Sequence, residues 1–338
     1  MDFYVHRTVK LVKFCMRGAL ILTLLVLSGC YSAPSVSITF GGDIALARSG
    51  KALFAQTNPW QQVSGAIRLQ QNGSGQTFFF ANLESPVKTD AVSFMDDKSR
   101  GYDLCADVDQ LSLLKQGGMT LVNLANNHIN DCGMGSAANT RILVEKAGLD
   151  VVGPDLTPVF LETQAGKIGL LAAEDVTQPL DENKLLEAVK NIRANCNILI
   201  VSLHWGNEYQ SGVSTRQEQL AHDLANAGVD VLWGTHPHVL QKMEWISSQQ
   251  GGHQMLAMYS LGNLLMDQWM TDQTQQSVLV TLQIQEKKIK KLSILPLKMD
   301  RTNLQLLLPD EREMQKIEAQ LGVNELSGNG VSITLPGN

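Results

Sequence analysis

Histidines stand where apolar runs end in this chain, and carboxylates and amides occupy the same kind of position. Ile198–Leu203 runs into His204-Trp205-Gly206, and Val229–Trp233 runs into Gly234-Thr235-His236-Pro237-His238. Leu121–Leu124 ends in Ala125-Asn126-Asn127-His128, Phe78–Phe80 leads to Asn82-Leu83-Glu84, and Val36–Phe40 leads to Gly41-Gly42-Asp43. Short apolar runs of this kind read as buried strands. The carboxyl ends of strands are where α/β sheets build their sites. Imidazole, carboxylate and amide oxygen together suit a divalent metal such as zinc, iron or manganese.

The five strand ends differ in weight. Gly42-Asp43 alone reads equally well as a turn or a helix cap, and Asn82-Leu83-Glu84 before Ser85-Pro86 as a turn. Asn126-Asn127-His128 is stronger: an amide oxygen can ligate a hard cation, and the neighbouring imidazole can act as an acid. His236 and His238, flanking one residue in an extended segment, would share a side of the strand and address one site. Arg48, five residues after Asp43, can clamp a phosphate or a carboxylate. Glu208 follows His204 by four residues. His222, among alanines and leucines of a helix, is expected to pack, and His253 beside Gly251-Gly252 to lie at the surface.

Positioning these residues requires alternating strands and helices. Helices are expected over about 107–116, 135–146, 181–193, 215–227 and 309–321, with a hairpin over 159–174 turning at Ala165-Gly166. Strands are expected at about 243–246, 254–260, 277–285, 289–297 and 331–334. The first two-thirds is βαβ-like and the last third is mostly hairpins. That pattern predicts an α/β fold of two packed sheets with helices outside, in one domain over 36–338.

The amino terminus reads as a targeting segment. Arg7, Lys10, Lys13 and Arg17 precede an apolar stretch from Ala19 to Leu27, too short to span a bilayer comfortably, which takes about 20 residues. Leu27-Ser28-Gly29-Cys30 resembles a bacterial lipobox. Residues 1–29 are then a signal peptide, Cys30 the lipidated first residue and 30–35 a tether. No Asp follows Cys30, so a Gram-negative envelope would direct the protein to the outer membrane.

The 338-residue chain carries a formal charge of −6, and residues 1–29 hold four Lys or Arg and one Asp, leaving −9 on the remaining 309 residues. An acidic body argues against nucleic acid and against holding a polyanion by general surface charge. In an oxidising envelope Cys105 and Cys132 can pair, although their spacing leaves the pairing open, and Cys196 is expected to be a buried free thiol.

Several segments together resemble the CapA family of poly-γ-glutamate capsule synthesis, within the calcineurin-like metallophosphatase superfamily. They are Gly42-Asp43-Ile44-Ala45-Leu46-Ala47-Arg48, Asn82-Leu83-Glu84-Ser85-Pro86 and Leu124-Ala125-Asn126-Asn127-His128 with Asp131 and Gly133. His204-Trp205-Gly206-Asn207-Glu208-Tyr209, Gly234-Thr235-His236-Pro237-His238 and Tyr259-Ser260-Leu261-Gly262-Asn263 follow in order. The resemblance implies a four-layer αββα sandwich of two mixed sheets flanked by helices, holding one or two divalent ions (manganese, iron or zinc). Asp43 and His238 would hold one metal, Asn127, His204 and His236 the other, with Glu84 bridging and His128 as the catalytic acid. Arg48, Asn82, Glu208 and Asn263 would face substrate. The superfamily's usual Asp-x-His reads Asp43-Ile44-Ala45, so one metal lacks a histidine. The implied function is an envelope lipoprotein in capsule or polymer biosynthesis or export, with a phosphoesterase-like site acting on an anionic polymer or phosphoester. Capsule synthase or export proteins would be partners. A non-catalytic polymer-binding or assembly subunit is the alternative.

Overall fold

The computed structural model describes residues 33–54, 56–71, 75–89, 104–323 and 331–334. The predicted signal, Cys30 and residues 31–32 of the tether lie outside the described residues. The chain enters the fold through β1 (Ser35–Ile44), then α1 (Arg48–Phe54), α2 (Ser64–Gln70), β2 (Gln76–Leu83), β3 (Val87–Lys88) and β4 (Ala106–Asp107). A 3₁₀ turn leads into α3 (Leu111–Gln116), followed by β5 (Leu121–Asn123), α4 (Ser136–Lys146) and β6 (Asp150–Val152). Next come β7 (Val159–Thr163), β8 (Gly166–Glu174), α5 (Glu182–Arg193), β9 (Ile198–His204), α6 (Thr215–Asn226) and β10 (Val231–Thr235). The last part holds β11 (Met243–Ser247), β12 (Gln254–Met258), β13 (Asn263–Leu265), β14 (Gln276–Gln285) and β15 (Lys288–Met299). It closes with β16 (Leu306–Leu307), α7 (Glu311–Leu321) and β17 (Val331–Thr334).

Two mixed sheets result. One is nine-stranded in the order β16-β15-β14-β1-β2-β5-β6, with β13 beside β1 and β17 beside β15; the other is six-stranded, β11-β12-β10-β9-β8-β7. Three apolar clusters define the layers. Ile38, Phe40 and Phe80 from one sheet meet Ile200 and Trp233 from the other in the central core. Phe79, Val122 and Leu279 on the far face of the first sheet pack against Phe54, Leu114 and Val144 of its helices. Leu199, Val201 and Leu232 of the second sheet pack against Val189 of α5 and Leu224 of α6. The architecture is the four-layer αββα sandwich expected. Central strands buried on both faces need continuous apolar sequence, which is why Ile198–Leu203 shows no alternation.

Local chemistry sets the helix ends. Asp181 Oδ1 accepts from the backbone N–H of Lys184 to cap α5, and Ser214 and Gln217 form a capping box on α6. Such caps satisfy N–H groups that the first turn leaves unpaired. In α6 the inward face is Leu220, Ala221, Leu224 and Ala225, so His222 points outward and is exposed, contrary to the packing expected of it. His253 is half-buried, its Nε2 2.7 Å from the carbonyl of Val229.

β1 departs from expectation at the point that matters. The strand does not turn at its glycines: it continues through Gly41, Gly42 and Asp43 to Ile44. Asp43 N–H donates to Gly262 O at 3.0 Å, and a Cβ on Gly42 would overlap that carbonyl. The glycine is there for close approach of β13 to β1 rather than for a bend.

Candidate metal centre

The carboxyl ends of β1, β2, β9 and β10, and the loop after β5, meet over the central core. Asp43 and Asn82 are register partners on the parallel pair β1–β2, and Thr235 and His204 on the pair β10–β9. Parallel pairing places these ends side by side, so residues far apart in sequence share one edge.

Asn82 is the hub. Its amide NH2 lies 2.8 Å from Asp43 Oδ1, 3.3 Å from Glu84 Oε1 and 3.2 Å from His204 Nδ1. Its Oδ1 accepts from Asn123 (3.1 Å) and Asn126 (3.4 Å). Asp43 Oδ2 accepts from the backbone N–H of His236 at 3.1 Å and lies 3.5 Å from His238 Nδ1. His204 Nε2 is 2.8 Å from Asn127 Oδ1, and its Nδ1 is 3.0 Å from Thr235 Oγ1. The rings of His204, His236 and His238 follow one another at centroid distances of 4.7 and 5.7 Å.

The expected extended run at His236-Pro237-His238 is absent. His236 has φ +99° and His238 φ +59°, left-handed conformations that non-glycine residues adopt at a cost of order 1 kcal/mol. This backbone turns both rings toward the carboxylates while Pro237 O accepts from Tyr209 N–H.

Burial and charge then work against one another. Asp43, Glu84, His204, His236 and His238 are all buried. Burial pushes the Glu84 carboxyl up to about 8, with Asp43 adding to the rise and His238 opposing it. Burial disfavours charge on His238, but Glu84 and Asp43 outweigh it and raise the imidazole to about 9. Burial, reinforced by His238, lowers His236 to about 4, and burial and His236 hold His204 well below its usual range. Burial opposes protonation of His128 as well, yet the hydrogen bond it donates to Asp131 and the charge of Glu84 bring it above its ordinary value. Its Nδ1 is 2.8 Å from Asp131 Oδ2, and its Nε2 is 3.2 Å from Asn127 Nδ2 and 4.0 Å from Glu84 Oε2.

The donor set fits a divalent ion. Asp43, Glu84 and His238 each offer a ligand atom within 4.8 Å of the others, as do Glu208, His236 and His238. Two buried polar atoms in the cluster, Glu84 Oε2 and His236 Nδ1, have no hydrogen-bond partner in the protein. Most buried polar atoms in proteins are satisfied, and cations bound in this cluster would supply the partners that a carboxylate oxygen and an imidazole nitrogen lack here. Ala45, where the sequence resemblance would expect a histidine, packs with Ala47, Leu104 and Met266 in a small apolar cluster.

Every residue expected to ligate, together with His128, is gathered here. The residues expected to face substrate divide. Glu208 is on the rim, its side chain 44% exposed and 4.0 Å from His238 Nε2. Asn82 is inside the cluster, and Asn263 is buried with Oδ1 on His238 Nδ1 (3.0 Å) and its NH2 on Gln268 Oε1 and Thr274 O. Arg48 is paired with Asp267 at 2.9 Å. No site role was expected for Asn123, whose polar side chain interrupts an apolar run, or for Thr235 and Gln268, although both lie in or beside segments that carry the resemblance. Cys105 and Cys132 form a disulfide with Cα atoms 5.1 Å apart, closing the segment that carries Asn126, Asn127, His128 and Asp131. Cys196 is a free, half-buried thiol.

Residues 37–268, which include every side chain of this cluster, match the family described as bacterial capsule synthesis protein PGA_cap. The chain belongs to that family. Within sequence comparisons it is 28% identical to the capsule biosynthesis protein CapA of Bacillus anthracis over 288 residues, 78% of this chain and 67% of that protein. It is 27% identical to the PGA biosynthesis protein CapA of Bacillus subtilis (strain 168) over 290 residues, 79% of this chain and 72% of that one. Among solved structures, a novel phosphatase of Mycoplasma pneumoniae overlays with a TM-score of 0.48 at 14% identity, covering 84% of this chain and 97% of that one.

Proposed function

We propose that this PGA_cap protein is an envelope-anchored, metal-dependent hydrolase of capsule or poly-γ-glutamate-like surface polymer biosynthesis or export. The observation that carries the reading is the meeting of buried Asp43, Glu84, His204, His236 and His238 with half-buried Asn127, with Glu84 Oε2 and His236 Nδ1 left without protein partners. Asp43 and His238 would hold one divalent ion, and Asn127, His204 and His236 a second, with Glu84 between them. Such an ion supplies a nucleophilic water near neutral pH and neutralises charge developing on a phosphoryl or acyl centre.

The chain's own groups supply the rest. Asp131 fixes the His128 ring through Nδ1 and favours its protonated form, from which Nε2 would give a proton to a leaving group over the cluster. Asn82 and Asn123 lock the carboxylates and amides in place before substrate arrives. Glu208 lines the open side. The lipobox-like Cys30 supports a lipid anchor, and the Cys105–Cys132 disulfide supports an oxidising envelope compartment.

A second reading, a non-catalytic polymer-binding or assembly subunit, is favoured by Ala45, since packed apolar side chains stand where the resemblance places a ligand. Metal analysis of the purified chain, paired with hydrolysis of p-nitrophenyl phosphate and of a γ-glutamyl peptide, separates the two. The hydrolase reading expects bound manganese, iron or zinc and turnover that Asp43→Asn and His128→Ala abolish. Metal without turnover on either substrate supports the assembly role.

A further inference from the structure

The end of the sandwich remote from the metal centre carries the one concentrated basic feature of the described hairpins. β14 and β15 join at Glu286-Lys287-Lys288, and Lys290 and Lys291 follow on β15, so residues 286–291 hold four lysines and one acid. Glu286, Lys287 and Lys288 are exposed, and Lys290 pairs with Glu286 at 3.2 Å. Both turn residues, Glu286 and Lys287, have positive φ, and the Lys287 N–H donates to Ala165 O, so the tip is braced against the β7–β8 turn. A net charge of +3 on six residues contrasts with −9 on the chain after residue 29.

This tip lies beside the chain's entry into the fold. Ser35 is the register partner of Gln285, and Val36 of Ile284. From there β1 runs away toward the metal centre, and the eight residue steps from Ser35 to Asp43 cover about 26 Å at strand rise. The lysines and the entry point therefore share one end of the sheet, and the cluster of ligating side chains occupies the other.

We propose that the Lys287–Lys291 hairpin tip is a docking surface for anionic lipid headgroups, which stands the domain on the membrane with its metal centre facing away. The proposal rests on the reading that Cys30 is lipidated. Five residues separate Cys30 from Ser35, a span of at most about 18 Å fully extended, so an anchored chain keeps this end near the bilayer. Each lysine near an anionic surface strengthens attachment, while the acidic remainder of the domain is repelled. A polyanionic substrate is the less suitable occupant, because the patch is a strand's length from the residues that would act on it.

Flotation of the full-length protein with two kinds of vesicle tests this. Phosphatidylcholine vesicles read the anchor alone; vesicles of phosphatidylcholine and phosphatidylglycerol in roughly two-to-one proportion read the patch in addition. The expected result is an increase in partition of about tenfold or more on the anionic vesicles, lost in high salt and in Lys287→Gln/Lys288→Gln/Lys290→Gln. In the unaltered protein, these lysines should resist acylation by an impermeant reagent on anionic vesicles only, while Lys184 and Lys190 on α5 react equally on both. Equal partition and equal acylation on both vesicles overturns the patch and leaves the anchor standing. Failure to float on phosphatidylcholine sinks the anchor, and the anionic increment still decides the patch. Lysine protection by added polyglutamate, with no anionic-lipid increment, overturns the proposal in favour of a polymer site.

Discussion

Asn263 fixes which nitrogen of His238 is available to a ligand. Asn263 Oδ1 lies 3.0 Å from His238 Nδ1, and its NH2 donates to the backbone carbonyl of Thr274 at 3.1 Å. A carbonyl only accepts, so the amide cannot be reversed, and neutral His238 carries its proton on Nδ1 with the Nε2 lone pair exposed to the site. Asp43 Oδ2, 3.5 Å from the same nitrogen, favours the same tautomer. Residues that orient a ligating imidazole are worth about 10–100-fold in metal affinity. Asn263→Ala should lose that much by calorimetric titration with manganese or zinc. Lower stability with unchanged affinity would reduce Asn263 to a packing role.

The cluster predicts how metal binding should respond to pH. Without a cation, folded Glu84 keeps its proton to about 8 while the unfolded chain releases it near 4.5. Its stabilising contribution is therefore complete below 4.5 and lost as pH rises toward 8. His238, raised to about 9, stabilises fully below 6.5 and loses that contribution as pH rises through 9. His236, lowered to about 4, acts in reverse: stability falls as pH drops from 6.5 toward 4. A divalent ion competes with the protons on Glu84 and His238. The Tm gain on adding metal to chelator-treated protein should be small near pH 6 and grow toward pH 9. A pH-independent gain would place the ion elsewhere.

If His128 is the acid, Asp131 tunes it. The 2.8 Å contact raises the imidazole, and an acid works only while protonated. Asp131→Asn should move the alkaline limb of the pH–rate profile to lower pH and leave metal content intact. His128→Ala should cost about 100- to 10,000-fold in turnover. An unmoved alkaline limb in Asp131→Asn would remove His128 from proton transfer.

The strand ends were legible because buried strands demand apolar residues, and a polar residue that terminates such a run shows against that background. His204, Asn127 and Glu84 were found in this way. Helices near 181–193 and 309–321 were legible from their sequence pattern, and in the structure Asp181 and Asp310 cap them. What stayed hidden depends on distant partners. Nothing near Arg48 announces Asp267, and nothing near Asn263 announces Thr274 O and His238 Nδ1. The left-handed backbone at His236 and His238 has no local signature either, because neither is glycine. α1 and α2 are seven residues each, and α2 has no side-chain cap, so their sequence carries little helical signal. Gly41-Gly42 was misread for a related reason: glycine marks both a turn and a close approach, and only the position of β13 tells them apart.

That distinction is itself testable at Gly42. A turn glycine with room beside it would tolerate alanine if its φ allowed, but Gly42 is in a strand, where alanine's backbone preference is no obstacle. The obstacle is Gly262, whose carbonyl oxygen accepts from Asp43 N–H and fills the space a Cβ would need. Gly42→Ala must push β13 off β1, and β13 begins with Asn263, the residue that orients His238. Overpacking of this kind costs about 1–3 kcal/mol and more where backbone must move. Gly42→Ala should therefore lower Tm and weaken metal binding together. Gly65→Ala, which meets open space in the helix α2, should leave both where they were or raise Tm slightly. Equal behaviour of the two variants would mean that β13 yields without disturbing Asn263.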